Sequence, residues 1–228
     1  MAPVISLRNV VKRYKRERNF VPVLEGINLE ISAGDYVALI GPSGSGKTTL
    51  LNLMGGLDLA DSGDVVVAET DLNRLSDRQL SRWRARHIGV VFQSNNLLPG
   101  LSAAENVELP LLLTQHSRAE RNRRVAAILE AVGLSDRAQH RPGELSGGQQ
   151  QRVGIARAMV GEVPILLCDE PTGDLDRANA DEILRLLEAI NRERGTTIVM
   201  VTHDGEAASR AHRQLSVEKG ALRQVIAP

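Results

Sequence analysis

Four groups of residues in this chain carry chemistry by their type and spacing. The first is Gly41-Pro42-Ser43-Gly44-Ser45-Gly46-Lys47-Thr48-Thr49, which follows the apolar run Val37 to Ile40 and leads into Leu50, Leu51 and Leu53 at helical spacing. Strand, glycine-rich loop, helix is an arrangement that turns successive backbone N–H groups, at the electropositive end of a helix, onto a triphosphate. Gly41, Gly44 and Gly46 can take backbone angles closed to other residues. Lys47 is then placed to reach the β- and γ-phosphates, and the Thr48 hydroxyl to bind Mg²⁺. The spacing GxxxxGKT, with a strand before it and a helix after it, reads as a nucleoside triphosphate site.

The second group is Asp169 and Glu170, side by side where the apolar run Ile165 to Cys168 ends. Carboxylates on a buried strand are costly unless something compensates them, and Mg²⁺ with its waters would compensate Asp169. Glu170 is then placed to polarise a water for attack on a γ-phosphate. Gln93 and His203 form the third group, each a polar residue where an apolar strand stops (Ile88 to Phe92, Ile198 to Thr202). In open α/β sheets ligands sit at the carboxyl ends of the strands, so the loop, Gln93, Asp169 and His203 can share one edge. An imidazole there suits a phosphate oxygen. The fourth is Leu145-Ser146-Gly147-Gly148-Gln149, ahead of a helix carrying Val153, Ile155, Ala156 and Met159. It reads equally as a second anion-binding helix end or as an N-cap with a tight turn. Tyr14 is open in the same way, between an ordinary strand-end aromatic and a face on which adenine stacks.

The elements that must hold these groups follow from pattern. Ile5 to Tyr14 and Val23 to Ile31 read as strands, with the basic run Lys12, Arg13, Lys15, Arg16, Arg18 as a solvated hairpin tip between them. Val65 to Ala68 reads as a short strand and Asp77 to Arg86 as a polar helix capped by Ser76 or Asp77. Ala103 to Leu113 and Ser117 to Val132 read as helices, the latter with Val125, Ile128, Leu129 and Val132 on one face. Gly173, Asp174 and Asp176 shape a turn before a helix from Asn179 to Arg194, and Leu215 to Val217 and Leu222 to Ile226 add terminal strands. His87, His116, His140 and His212 sit among polar residues with no partner in view.

Composition narrows the classes. In 228 residues, 28 Lys and Arg balance 28 Asp and Glu, so no global field draws the chain to nucleic acid or acidic lipid. Cys168, the one cysteine, excludes an internal disulfide and suits a reducing compartment. No apolar window is long enough to span a bilayer and the start lacks a secretory pattern, so a soluble chain is expected, reaching any membrane through a partner.

The order of these motifs resembles the ATP-binding subunit of ATP-binding cassette transporters over nearly the whole chain. The resemblance implies an α/β fold of the phosphate-loop NTPase type: a mostly parallel core sheet, an N-terminal antiparallel β part and an inserted helical subdomain. One nucleotide-binding domain would span 1–228, with core and β part in 1–93 and 163–228 and the helical insert in 94–162. It implies adenine stacking on Tyr14, and ATP on the loop Gly41 to Thr48 with Thr49 behind it. Mg²⁺ would be held by Thr48, Asp169 and Gln93, with Glu170 the catalytic carboxylate and His203 the switch histidine beside Lys47 and Gln93. LSGGQ would be the signature, closing through Ser146, Gly147, Gly148 and Gln149 on ATP held by a second copy or a relative.

The segments VPVLEGINLEI, GGLDLADSGDV, GVVFQSNNLLPGLSAAENVELPLLL and ELSGGQQQRVGIARAMV look like the group serving lipoprotein release, macrolide-type export and the cell-division complex. That implies an ATPase powering export or membrane extraction through a separate integral membrane permease, held at the cytoplasmic side of the inner membrane and binding no nucleic acid. An ATP-driven signalling subunit that transports nothing, as in cell division, is the alternative. A soluble member acting on ribosomes or DNA is disfavoured by the single cassette and short insert, and sugar import by the short stretch after His203. The turn departs from the group, with Asp174 where asparagine is usual.

Overall fold

Ile165 to Cys168 and Thr197 to Val201 carry no polar alternation, so both of their faces need cover, which a parallel sheet with layers on each side provides. The computed structural model describes residues 3–16 and 19–225. The chain opens with β1 (Ile5–Arg16), β2 (Asn19–Ile31) and β3 (Tyr36–Ile40), then α1 (Lys47–Met54). It continues through β4 (Ser62–Val67), β5 (Thr70–Asp71), α2 (Asp77–His87) and β6 (Ile88–Val91). Three helices follow in succession, α3 (Ala103–Glu108), α4 (Arg118–Ala131) and α5 (Gly147–Met159). The chain then forms β7 (Ile165–Asp169), α6 (Arg177–Arg194), β8 (Thr197–Val201), α7 (Gly205–Ser209), β9 (Arg213–Glu218) and β10 (Ala221–Val225).

Two sheets result. β2-β1-β4-β5 is antiparallel throughout, and the other runs β10-β9-β3-β8-β7-β6 with only β10 antiparallel to its neighbour. Because successive residues of a strand face opposite ways, the parallel strands serve two cores at once. Tyr36, Ala38, Leu166, Cys168, Ile198 and Met200 face a core shared with α3 to α6. Val37, Leu39, Ile165, Leu167, Val199 and Val201 face another, closed by α1, α2 and the antiparallel sheet. The expected α/β fold, mostly parallel with an antiparallel N-terminal part, is the fold found.

Several local expectations are corrected. The basic run is not wholly solvated: Lys12 is 8% exposed, its Nζ 2.6 Å from Asp58 Oδ1, because a fold-level contact across 46 residues supplies a partner that local pattern cannot show. Arg18 lies outside the described residues, as does Ile226. The helix expected to Leu113 is α-helical only to Glu108, and the chain tightens to a 3₁₀ turn over Leu109–Leu113, where Pro110 has no N–H to continue the ladder. The strand expected at Val65 to Ala68 starts earlier, at Ser62, and stops at Val67, since Ala68 and Glu69 turn with φ of 45° and 60°. α6 starts at Arg177 rather than Asn179, because Asp176 caps it by accepting from the Asn179 amide.

The register of β6, β7 and β8 sets the site, and α5 packs against β6 at Gly89. A Cβ there would lie 2.5 Å from the Ala158 carbonyl oxygen and 3.0 Å from Leu166 Cδ1. Gly89→Ala is expected to cost about 1–3 kcal/mol of overpacking, lowering the melting temperature by several degrees at roughly 2–4 °C per kcal/mol. Gly100→Ala, with nothing within 4 Å, is the neutral control. An unshifted melt for Gly89→Ala contradicts this packing.

Candidate functional site

Leu39 pairs with Val201, Val201 with Asp169, and Cys168 with Val91, so β3, β8, β7 and β6 end level with one another. Gly41, His203, Glu170 and Gln93 therefore leave the sheet along a single edge.

At β3 the loop turns sharply. Gly41 has φ 145°, and a side chain there would run into the Val217 carbonyl of β9, so that strand shapes the loop. Gly46, at φ 104°, lies against Leu24 and the Val23 carbonyl of β2 and forms the N-terminal boundary of α1. No side chain caps α1, so its first amides are left for another acceptor. Lys47 is 7% exposed and donates to the carbonyls of Gly41 at 2.8 Å and Pro42 at 2.9 Å. An ammonium held this way, beside a helix N-terminus, makes a strongly electropositive pit.

Thr48 Oγ1 donates to Asp169 Oδ1 at 3.2 Å. Burial is the largest influence on Asp169 and pushes its pKa up, Thr48 and Lys47 opposing and Glu170 adding to the rise. Two hard oxygens on adjacent strand and helix ends fit a small divalent cation completed by phosphate and water, and a cation would relieve the carboxylate. Among the described residues no cluster of three or more His, Cys, Asp or Glu stands ready to hold a metal alone.

Glu170 takes φ 47°, a left-handed conformation rare for a side-chain residue. The strain is held by its amide, which donates to Val201 O at 2.9 Å, and by its carbonyl, which accepts from the Gly173 amide at 3.0 Å. Glu170 Oε2 lies 2.8 Å from His203 Nδ1. With the carboxylate ionised, Nδ1 is the donor, which leaves Nε2 as the acceptor nitrogen of the ring. A hollow of about 600 Å³ opens at this pair, lined by Glu170 and His203 with Gly173, Arg177, Asp181 and Asp204; no residue of the loop Gly41 to Thr49 lines it.

Gln93 departs from expectation in its direction. Its Nε2 donates to Asp174 Oδ1 at 2.9 Å, not to Thr48 or Asp169. The stretch behind it is fastened to α5: Arg157 donates to the carbonyls of Asn95 and Asn96 at 2.6 and 2.7 Å, and Gln151 to that of Phe92 at 3.3 Å. Ser146 caps α5 by accepting from the Gln149 amide at 3.2 Å, while Gln149 Oε1 accepts from the Ser146 amide at 3.0 Å. Gly147 and Gly148 lie against Leu175 and Asn179. The N-cap reading of this turn is therefore present in the structure, and among the described residues no hydrogen bond joins it to the loop Gly41 to Thr49.

Tyr14 stands at the margin, 41% exposed, its hydroxyl 2.6 Å from Asp58 Oδ2 and also near the Thr49 side chain. Asp58 was invisible to sequence reasoning, lying 44 residues away in an unremarkable turn. Three of the other four histidines have partners: His87 stacks on Trp83, His140 meets Arg137, and His212 Nδ1 accepts from the Tyr36 amide at 3.3 Å.

Comparison with known proteins agrees with this architecture. The family model for the ABC transporter matches residues 24–173. The lipoprotein-releasing system ATP-binding protein LolD of Alcanivorax borkumensis is 45% identical over 223 residues, 98% of this chain and 98% of that protein. The macrolide export ATP-binding/permease protein MacB of Marinobacter nauticus is 44% identical over 96% of this chain, which spans 34% of that longer protein. Among solved structures, a dimeric post-hydrolysis state of the ATP-binding cassette MJ0796 bound to ADP and Pi superposes with a TM-score of 0.89 at 41% identity, covering 98% of this chain and 100% of that one. With the family model spanning most of the chain and LolD matching it nearly end to end, this protein belongs to the ABC transporter family, as an ATP-binding cassette.

Proposed function

We propose that the chain is the motor of an export or membrane-extraction system for a lipoprotein, lipid or macrolide-type substrate, driving a separate permease of the lipoprotein-release or macrolide-export type. The observation that carries this is the row Lys47, Thr48–Asp169 and Glu170–His203 along one strand edge, to which, among the described residues, the LSGGQ turn makes no hydrogen bond, its own being those of its cap. One edge binds and cleaves a triphosphate; a detached anion-binding helix end has work only if it meets a second copy's nucleotide.

In this reading adenine stacks on Tyr14, the amides of residues 43–49 surround the phosphates, and Lys47 exchanges its two carbonyl partners for phosphate oxygens. Thr48 and Asp169 would hold Mg²⁺, and Gln93, freed from Asp174, would complete the set. Bound there, Mg²⁺ supplies charge neutralisation at the phosphates. Glu170 takes the proton of the attacking water and His203 holds the carboxylate in place. Ser146, Gly147, Gly148 and Gln149 of the partner copy, a twin or a relative, cap the γ-phosphate. Swinging such a clamp from 1:99 to 99:1 needs about 5.5 kcal/mol of preference for the closed form, within reach of two triphosphates making charge-assisted bonds.

The insert 94–162 is the lid, and its movement reaches Gln93 through Arg157 and Gln151. Among the described residues no helix is long and apolar enough to cross a membrane. The protein then sits peripherally on the cytoplasmic side of the inner membrane, held by the permease near Ser94 to Leu101.

Glu170→Gln is expected to retain ATP binding, to accumulate an ATP-dependent dimer in sedimentation velocity, and to lose phosphate release by about a hundredfold or more. Native-rate hydrolysis by that variant contradicts the general-base role. Lys47→Ala is expected to weaken ATP at least about tenfold in calorimetric titration, from the loss of charge-assisted bonds. Undiminished affinity contradicts the phosphate role of the loop.

A further inference from the structure

Just beyond α1, Asp58 is gripped from several sides. Its Oδ1 accepts from Lys12 Nζ at 2.6 Å and from the Leu59 amide at 2.8 Å, and its Oδ2 accepts from the Tyr14 hydroxyl at 2.6 Å. Lys12 Nζ also donates to Leu59 O at 2.7 Å and lies 5.1 Å from the centre of the Tyr14 ring. The segment bearing Asp58 is itself stitched down: the Asp58 amide donates to Asn52 O at 3.3 Å, the Asp61 amide to Val11 O at 2.9 Å, and the Arg13 amide to Asp61 Oδ2 at 2.6 Å.

A partly buried ion pair such as this one is a weak source of stability, since desolvating the charges offsets much of their attraction. What it supplies here is a fixed point. Burial opposes the charge on Asp58, but the hydrogen bonds from Lys12, Tyr14 and the Leu59 amide outweigh it and hold the carboxyl below its usual range. The Tyr14 phenol moves the other way, raised by burial and then by Asp58, and so remains a donor. An exposed tyrosine near a hairpin end has two soft torsions; a short bond from its far end to an immobile carboxylate removes that freedom before any ligand arrives.

We infer that Asp58, locked by Lys12, is a positioning residue for the nucleotide base: it fixes the Tyr14 ring for stacking and so governs the base-dependent part of affinity, leaving the phosphate-dependent part to the Lys47 loop. This rests on the stacking role given to Tyr14 above. The tether ties the residues just past α1 to the ring, so the phosphate helix and the base platform are held at a set spacing.

The test is calorimetric titration of the full chain with ADP, and competition by inorganic pyrophosphate, which has no base. Tyr14→Phe and Asp58→Asn are each expected to weaken ADP about fivefold, the worth of one hydrogen bond to a charged group at a solvent-facing site, with pyrophosphate unchanged. The double variant is expected to be weaker by much less than the product of the two single effects, because both act on the same bond, which asparagine's one acceptor oxygen keeps only without the charge. Equal losses for ADP and pyrophosphate overturn the proposal in favour of a purely structural Asp58. Unchanged ADP binding in both variants, with Tyr14→Ala weakened, overturns the tether and leaves stacking intact; unchanged binding in Tyr14→Ala overturns both. Should Asp58→Asn fail to fold, leaving Lys12 buried without its partner, Tyr14→Phe decides alone, since it removes one hydroxyl from an exposed ring.

Discussion

A lysine buried to 7% exposure, held by two carbonyl oxygens rather than a carboxylate, is the interaction the rest of this structure is built to maintain. Among the described residues Lys47 forms no salt bridge. A cation in that position is tolerable because the loop's carbonyls solvate it, and it is useful because an arriving anion meets it with no competing carboxylate to displace. Everything nearby preserves that condition. Gly41 and Gly46 let the loop curl tightly enough to present its carbonyls, and β9 and β2 back the curl so that it cannot relax.

The parallel sheet extends the same logic along its edge. Since β3, β8, β7 and β6 end in register, only a residue or two at the end of each strand is needed to gather the lysine's loop, two carboxylates and a histidine along one edge. Glu170 takes a left-handed conformation at this edge, and its amide bond to Val201 shows how the neighbouring strand holds it. Helix α5 takes part at both of its ends. Its N-terminus carries the signature turn, and Gln151 and Arg157 grip the stretch around Gln93. These bonds tie α5 to the residues on both sides of Gln93, and Gln93 shares a hydrogen bond with Asp174 in the turn before α6. Asp174, with one more anionic oxygen than the usual asparagine, still serves as acceptor there.

Much of this was legible from the amino acids, for identifiable reasons. The phosphate loop, the apolar strands and the capped helices are local statements, written in glycine spacing, runs without alternation, and Ser or Asp followed by a helical pattern. Asp176 and Ser117 cap helices as their types suggest, though the first of those helices starts two residues earlier than its apolar pattern implied. What local pattern could not carry were contacts made by the fold. Lys12 looked like one more solvated base in a basic run until Asp58, 46 residues on, was brought beneath it. His87 and His212 found aromatic partners, Trp83 and Tyr36, the second of these from 176 residues away. The direction of Gln93 toward Asp174, 81 residues further along, was equally unwritten in its strand. Spacing left the LSGGQ turn undecided, and the folded chain shows the reason: a capping box and an anion-binding helix end use the same residues.

The account's central claim is that one copy's strand edge holds the triphosphate while another copy's helix end closes it. A crystal structure of the Glu170→Gln variant with ATP and Mg²⁺ measures this directly. The account predicts the γ-phosphate between Lys47 of one copy and Ser146 of its partner, with Mg²⁺ on Thr48 beside Asp169. A nucleotide seated away from Lys47, or contacted by Lys47 and Ser146 of the same copy, would contradict it.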